Sequence, residues 1–343
     1  MKKREIFLLV FLLSLGSLFF SQNNNSYKQK KQDISNLKTS FLGQPPPGMV
    51  PEIFSPGIVS TKFRDHSDLL FHPNGKEIYW SVAYDQKTCA IVVAKMENQR
   101  WQKPRIATFS SPEYFDCIPS LSADGSRLYF SSMRPIETIK GKSKGKLDIW
   151  YVNRIGRHWS EPKPLNSVIN HSDHDSNPLI ARNGNLYFGS DRPGGNGSWD
   201  IYFSLYSDGK FGQPQNLGNG INTDRIEICS YIDPDERFIL FSSYDRPGGY
   251  GNGDIYISYR QKDGSWAQAR NLGKKINTEF EEAFGTFSPD GKYFFFGSDR
   301  NGNFDVYWVD SKVILLFSGE DKVPGEKIPP PGGSRNSTGG KFI

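Results

Sequence analysis

The strongest constraint on this chain is that it says the same thing five times. A turn dipeptide recurs as Asn74-Gly75, Asp124-Gly125, Asn183-Gly184, Asp235-Glu236 and Asp290-Gly291, at intervals of 50, 59, 52 and 55 residues. After each turn comes an aromatic-rich run: EIYWSV, RLYFSS, NLYFGS, FILFSS and YFFFGS. A loop and a second run follow, LDIWYV, WDIYFS, GDIYIS or FDVYWV, with CAIVVA standing in the first copy. Trp101, Trp159, Phe211 or Trp266 then leads into a short segment such as EPKPLN or QPQNLG, and one more short apolar run precedes each dipeptide, as in CIPSLSADG. Short apolar and aromatic runs bounded by turn residues read as strands, so each unit supplies four. Four-stranded units at this period cannot bury their faces alone and are the blades of a β-propeller. An aromatic content of 14% and 34 glycines suit an all-β chain of short strands and tight turns.

The pattern SPDGKYFFFGSDRNGNFDVY, with its variants SADGSRLYFSSMRP and NLGKKINTEFEEAFGTFSPDG, resembles the Pro-Asp type of WD-like repeat in TolB-like β-propellers. The resemblance spans about residues 50 to 310 and implies a fold rather than an activity, because propellers of similar architecture serve unrelated functions. Its relatives include periplasmic binding and scaffold proteins, often carrying a peptidoglycan-binding domain for which no counterpart is seen here.

The two ends of the repeat set the blade count. The fifth unit stops at DVYWVD and lacks the outer strand that the first four carry, while MVPEIFSPGIVST, Met49 to Thr61, precedes the first unit and looks like the missing piece. Five blades closed by this N-terminal strand are therefore expected. A sixth would need further strands, for which SKVILLF at Ser311 to Phe317 is the sole remaining candidate.

Outside the repeat, MKKREIFLLVFLLSLGSLFFSQ has a basic head and an apolar run from Ile6 to Phe20 that is shorter than a bilayer requires, so residues 1–22 read as a secretory signal. No cysteine follows the run to make it a lipoprotein, and membrane association is expected only if the segment stays uncleaved. Residues 23–48 and 318–343, rich in Pro, Gly, Asn and Lys, read as a linker and a tail with too little apolar surface to order them. The propeller then spans 49–317, expected as a periplasmic or secreted monomer.

The formal charge of +5 resides at the two ends of the chain, since residues 41–311 carry 30 basic and 32 acidic residues. Nothing suggests nucleic acid, and the basic loop Ile139 to Lys146 reads as a solvated insertion. Three cysteines, Cys89, Cys117 and Cys229, leave at least one unpaired, lack metal-ligand spacing and sit in apolar runs, where each reads as a small buried hydrophobe.

Two sets of residues recur through the repeat, and one breaks it. Arg134, Arg192, Arg246 and Arg300 stand in the loops of blades two to five, as in GSDRPGGNGSWDIY, and each is followed by an aspartate opening the next strand: Asp148, Asp200, Asp254 and Asp305. A glycine-rich loop beside an arginine suggests phosphate binding, yet no helix follows and the loop is copied from blade to blade. The expected role is structural, with the aspartates accepting backbone N–H bonds or pairing with the arginines. Eight residues before each turn dipeptide lies a second column, His66, Asp116, Asp175, Glu227 and Glu282, expected at the start of the inner strands around the channel mouth. Most of these carboxylates should form ion pairs, and the ring they make is the candidate binding site. The departure is NHSDHDS, where His171, Asp173, His174 and Asp175 cluster as a candidate Ca²⁺ or Zn²⁺ site or acid-base group. No other cofactor is expected.

These features favour a non-catalytic propeller that binds an envelope protein, peptide or glycan at its channel face. The alternative is a carbohydrate-active hydrolase or lyase, which needs unlike residues on different blades around a central pocket.

Overall fold

The computed structural model describes residues 41–61, 65–84, 88–136, 145–171 and 174–315. The 1–22 segment, the 318–343 tail and most of the 23–48 linker lie outside the described residues.

The five repeats fold into five antiparallel sheets. Strand β1 (Glu52–Ile53) comes first in the chain, and blade 1 follows with β2 (Asp65–Phe71), β3 (Glu77–Ala83), β4 (Cys89–Glu97), β5 (Arg100–Trp101) and β6 (Arg105–Ile106). Blade 2 holds β7 (Cys117–Leu121), β8 (Arg127–Ser132), β9 (Asp148–Ile155), β10 (His158–Trp159) and β11 (Lys163–Pro164). In blade 3 these become β12 (Asp175–Ile180), β13 (Leu186–Ser190), β14 (Asp200–Ser204), the hairpin β15 (Tyr206–Ser207) and β16 (Lys210–Phe211), and β17 (Gln215–Asn216). Blade 4 comprises β18 (Ile226–Ile232), β19 (Phe238–Tyr244), β20 (Gly253–Tyr259) and β21 (Arg270–Asn271), and blade 5 contributes β22 (Glu282–Phe287), β23 (Tyr293–Ser298) and β24 (Asp305–Asp310).

The fourth strand of blade 5 is β1, which pairs antiparallel with β24 through Glu52 opposite Trp308 and Ile53 opposite Tyr307. Closure by the N-terminal segment is thus as the sequence implied, and the number of blades is five.

Why the ring closes is visible in its core. Each sheet is apolar on both faces, and each junction between neighbouring blades has its own buried cluster. Ile91 and Val93 meet Phe130 and Trp150 between blades 1 and 2, Tyr129 and Ile149 meet Phe188 and Tyr202 between 2 and 3, and Tyr187 and Ile201 meet Phe241 and Tyr256 between 3 and 4. Phe238 and Ile255 then meet Phe296 and Tyr307, and Phe54, Phe295 and Trp308 meet Ile78 and Trp80 to join blade 5 to blade 1. Five sheets leave no unburied face only when the fifth packs on the first.

The turn dipeptides do what their chemistry allows. Gly75, Gly125, Gly184 and Gly291 all have positive φ, and in the copy without glycine Glu236 takes that conformation at φ 57°. Its side chain is used in return: Glu236 accepts from the Tyr187 hydroxyl at 2.7 Å and from Asn185 Nδ2 at 2.9 Å.

One boundary differs from the expectation, and the candidate for a sixth blade takes another form. Residues 41–48, assigned to the linker on composition, pack against the ring. Leu42 is 1% exposed, the Phe41 ring lies 5.1 Å from Tyr293 and 5.6 Å from Trp308, and Gln44 Oε1 accepts the Ser55 N–H at 2.6 Å. Two apolar side chains placed opposite an aromatic hollow outweigh a polar average. The run considered for a sixth blade instead turns into a short helix, α1 (Lys312–Leu315), whose Val313 and Ile314 are buried against blades 4 and 5. Among the described residues no helix is long and apolar enough to cross a membrane.

Candidate functional site

The innermost strand of every blade carries a β-bulge at the same height, between Ser67 and Leu70, Cys117 and Ser120, Ser176 and Leu179, Cys229 and Tyr231, and Ala283 and Thr286. A bulge bends the strand and redirects its side chains. Asp68, Ile118, Asn177 and Phe284 sit there with φ between 54° and 58°, a conformation that costs most for β-branched Ile118. What holds it is the preceding blade: Ile118 N–H donates to Ser81 Oγ at 2.8 Å, Asn177 N–H to Ser131 Oγ at 3.0 Å and Phe284 N–H to Ser242 Oγ at 3.3 Å.

Below the bulges the five inner strands enclose a cavity of about 420 Å³ on the axis. Its wall runs from Asp68, Ile118, Pro178, Ser230 and Phe284 down to the turns at Pro73, Ala123, Arg182, Pro234 and Pro289. Asp68 and Arg182 are the charged members of that described wall, and Arg182 also pairs with Asp235.

The carboxylate column lies above the bulges, at the other end of the inner strands. Asp116, Asp175, Glu227 and Glu282 are 0% exposed, and the side chain of His66 lies outside the described residues. Each carboxylate is held by more than one donor. Asp175 accepts the His171 N–H at 2.7 Å, the Ser190 hydroxyl at 2.7 Å and Arg192 at 2.7 Å. Glu282 repeats this with the Thr278 N–H and hydroxyl, Ser298 at 2.7 Å and Arg300 at 3.0 Å. Asp116 takes Arg134 at 2.6 Å and the Ser111 N–H at 2.7 Å. Glu227 takes Thr223 and Ser243, with Arg246 looser at 4.0 Å.

The arginines complete the pattern. Arg134, Arg192, Arg246 and Arg300 each donate to a backbone carbonyl in the loop entering their blade, those of Phe109, Ile169, Ile221 and Ile276. All four also stand over an aromatic pair of their own blade, as Arg192 does at 5.0 Å from both Phe188 and Tyr202. Their carboxylate partners are on the inner strand, while Asp200 and Asp254 accept backbone N–H groups of the glycine loop, from Asn196 at 2.5 Å and Tyr250 at 2.6 Å. Asp148 and Asp305 occupy the same buried position at the head of the third strand. Burial pushes the Asp175 and Glu227 carboxyls above the usual range, opposed by these donors, and burial likewise raises Asp254.

The third glycine of the repeated loop has its own reason. A methyl group on Gly197 or Gly251 would overlap the carbonyl oxygen of Arg225 or Phe280 in the loop entering the next blade. The repeated glycine loop therefore reads as a close approach of two backbones, blade to blade.

The histidine loop is divided by the fold. His174 is buried, its Nδ1 accepts the Leu147 N–H at 2.9 Å, and its ring lies 5.9 Å from Trp199. His171 points to solvent, Asp175 belongs to the Arg192 network, and Asp173 lies outside the described residues. Among the described residues no three His, Cys, Asp or Glu side chains gather as a metal site.

One recurring residue escaped the sequence reading. Asn170, Asn222 and Asn277, buried at the entry to blades 3, 4 and 5, each bridge the third strand of the blade before. Asn277 accepts the Ile255 N–H and donates to the Ile255 carbonyl, both at 2.9 Å, and Asn222 and Asn170 do the same at Ile201 and Ile149. Ser110 accepts the Ile91 N–H in the first blade, and Ser60 accepts that of Val306 at the closure. The signal was present as the dipeptide Ile-Asn in SVIN, NGIN and KKIN.

The fold and its axial cavity define a five-bladed β-propeller. No family model matches the sequence and no curated protein matches it. Among solved structures, the chain is similar to TolB from Acinetobacter baumannii, at 17% identity over 73% of this chain with a TM-score of 0.48, and it spans about half (52%) of that protein. It is also similar to a glycoside hydrolase, at 11% identity over 79% of this chain and 92% of the other, with a TM-score of 0.53. At these identities the likeness shows the propeller fold alone.

Proposed function

We propose that this protein is an exported, non-catalytic propeller that binds a peptide segment of an envelope protein in its axial cavity, entering from the turn end. The observation that carries the reading is the chemistry of the cavity wall: Ile, Leu, Pro and Phe side chains interrupted by Ser120, Ser230 and Thr286 hydroxyls, with the single described carboxylate of Asp68. Such a lining suits apolar side chains on an extended chain, whose amide groups the hydroxyls can serve. Glycoside hydrolysis by the usual route needs two carboxyl groups facing each other across the sugar. Here the carboxylates of the ring are committed to arginines, hydroxyls and backbone, which supports a framing role for Asp116, Asp175, Glu227 and Glu282 at the end of the inner strands away from the bound segment. The basic head and apolar run at the N-terminus support export.

The test compares the parent with Ala123→Trp, whose indole is placed at the cavity mouth from an exposed turn. Both are immobilised and offered a pool of apolar peptides and a set of polysaccharides. Retention of peptides by the parent and their loss from the variant are expected, with no reducing sugar released. Equal retention by both proteins, or cleavage of any polysaccharide by the parent, would overturn the proposal.

A further inference from the structure

The apolar cluster at the carboxylate end of the channel draws on all five blades, and it contains two cysteines. Cys89 opens β4 in blade 1, opposite Ala83, and Cys117 opens β7 in blade 2, opposite Ser131. Both are buried in that one cluster, and after burial itself Cys89 has the largest effect on the Cys117 thiol. Each is unbonded in this structure. Cys229 is also buried, but in the cluster between blades 3 and 4, which holds no second cysteine.

We propose that Cys89 and Cys117 form a disulfide joining blades 1 and 2 when the chain folds in an oxidising compartment, leaving Cys229 as the one thiol. Contact between the two side chains is what a disulfide requires, since the bond tolerates little separation of the Cβ atoms. The reaction is exchange with a small-molecule or protein disulfide. One cysteine thiolate attacks the donor, forming a mixed disulfide and expelling the first donor thiol. The other cysteine then displaces the second donor thiol. Two electrons pass to the donor, and the two thiol protons end on the thiols released.

Timing follows from the surroundings. Both sulfurs are shut off from solvent in the folded protein, and burial, then Cys89 and the carboxylates of Asp68 and Asp116, push the Cys117 thiol up, so a donor disulfide cannot reach either one and Cys117 is held as the thiol. The bond therefore forms as the blades dock, and once formed it is shielded from reductants.

The full chain is refolded in a mixture of oxidised and reduced glutathione, unfolded in denaturant without reductant, and alkylated. One modified cysteine is expected, Cys229, against three after reduction, together with a mass lower by two hydrogens and a cross-linked peptide holding Cys89 and Cys117. The oxidised protein should need more denaturant to unfold than the reduced one, because the link restricts the unfolded chain. The folded protein should resist dithiothreitol that reduces the unfolded protein at once. Cys229→Ala should leave the cross-link in place. Three alkylated thiols after oxidative refolding, a link that includes Cys229, or rapid reduction of the folded protein would each overturn the proposal.

Discussion

The closure of the ring can be tested at one side chain. Phe54 lies just after β1, is 0% exposed, and packs edge-on against Phe295 and against Trp308, each at 5.1 Å between ring centres. A phenyl group buries about 150 Å² or more, which at about 25 cal/mol per Å² amounts to ~4 kcal/mol. That falls within the ~3–5 kcal/mol typical of Phe→Ala in a core. With a urea slope of about 3 kcal/mol/M, Phe54→Ala should lower the unfolding midpoint by roughly 1.3 M. Val50→Ala, at a side chain 76% exposed in the same segment, should shift it hardly at all. A second lesion probes whether the segment acts as a unit. Ser60→Ala removes the acceptor of the Val306 N–H and should cost about 1–3 kcal/mol by itself, but less in the Phe54→Ala background, where the strand is already loosened. If Phe54→Ala unfolds at the same urea concentration as Val50→Ala, the N-terminal strand does not close the ring and the argument fails.

Further expectations concern the other blades. Gly197→Ala drives a methyl into the Arg225 carbonyl and should destabilise by about 1–3 kcal/mol, whereas Ala at exposed Gly209 or Gly194 tests only the positive φ; a differential scan of the three separates overlap from conformation. Asn277→Ala removes the acceptor of the buried Ile255 N–H, while the Ile255 carbonyl keeps the Leu272 N–H at 3.0 Å, and should cost about 1–3 kcal/mol, read by urea unfolding. Arg192→Ala leaves Asp175 charged in a site with 0% exposure and should cost about 3–5 kcal/mol at neutral pH, so parent-like melting would refute the structural role given to these loops. The fourth expectation is a pH effect. Burial raises the Glu77 carboxyl, but two hydrogen bonds from Arg154, at 2.6 and 3.1 Å, one from Tyr79, and Lys95 hold it below the usual carboxylate range. Its folded value is depressed, so its stabilisation is present above the unfolded value of about 4.3 and is lost as pH falls through the folded one. The penalty of Arg154→Met should accordingly be large at pH 7 and shrink in acid, a trend that denaturation at several pH values will show or refute.

What the sequence alone determined was the periodic part. Turn glycines, aromatic strands and an unpaired last blade are local or periodic features, and short aromatic runs closed off by turn residues favour antiparallel strands. The ring then follows, because five two-faced sheets must each be covered, and Met49 to Thr61 was the one segment left to complete the fifth. Partnerships across the ring were settled only by tertiary structure. The sequence places Arg192 eight residues from Asp200 and seventeen from Asp175, yet the bulge and the loop entering blade 3 bring Asp175 to the guanidinium and leave Asp200 to the glycine loop. Phe41 and Leu42 looked like linker until the aromatic hollow of Tyr293, Phe295 and Trp308 gave them a surface to cover. The cavity, too, lies at the turn end rather than among the carboxylates, because at the upper end of the inner strands the space is filled by side chains from all five blades, including Cys89 and Cys117. Spacing along a chain fixes which strand a residue belongs to; which neighbour it meets depends on how the blades are stacked, and that is decided by packing over the whole ring.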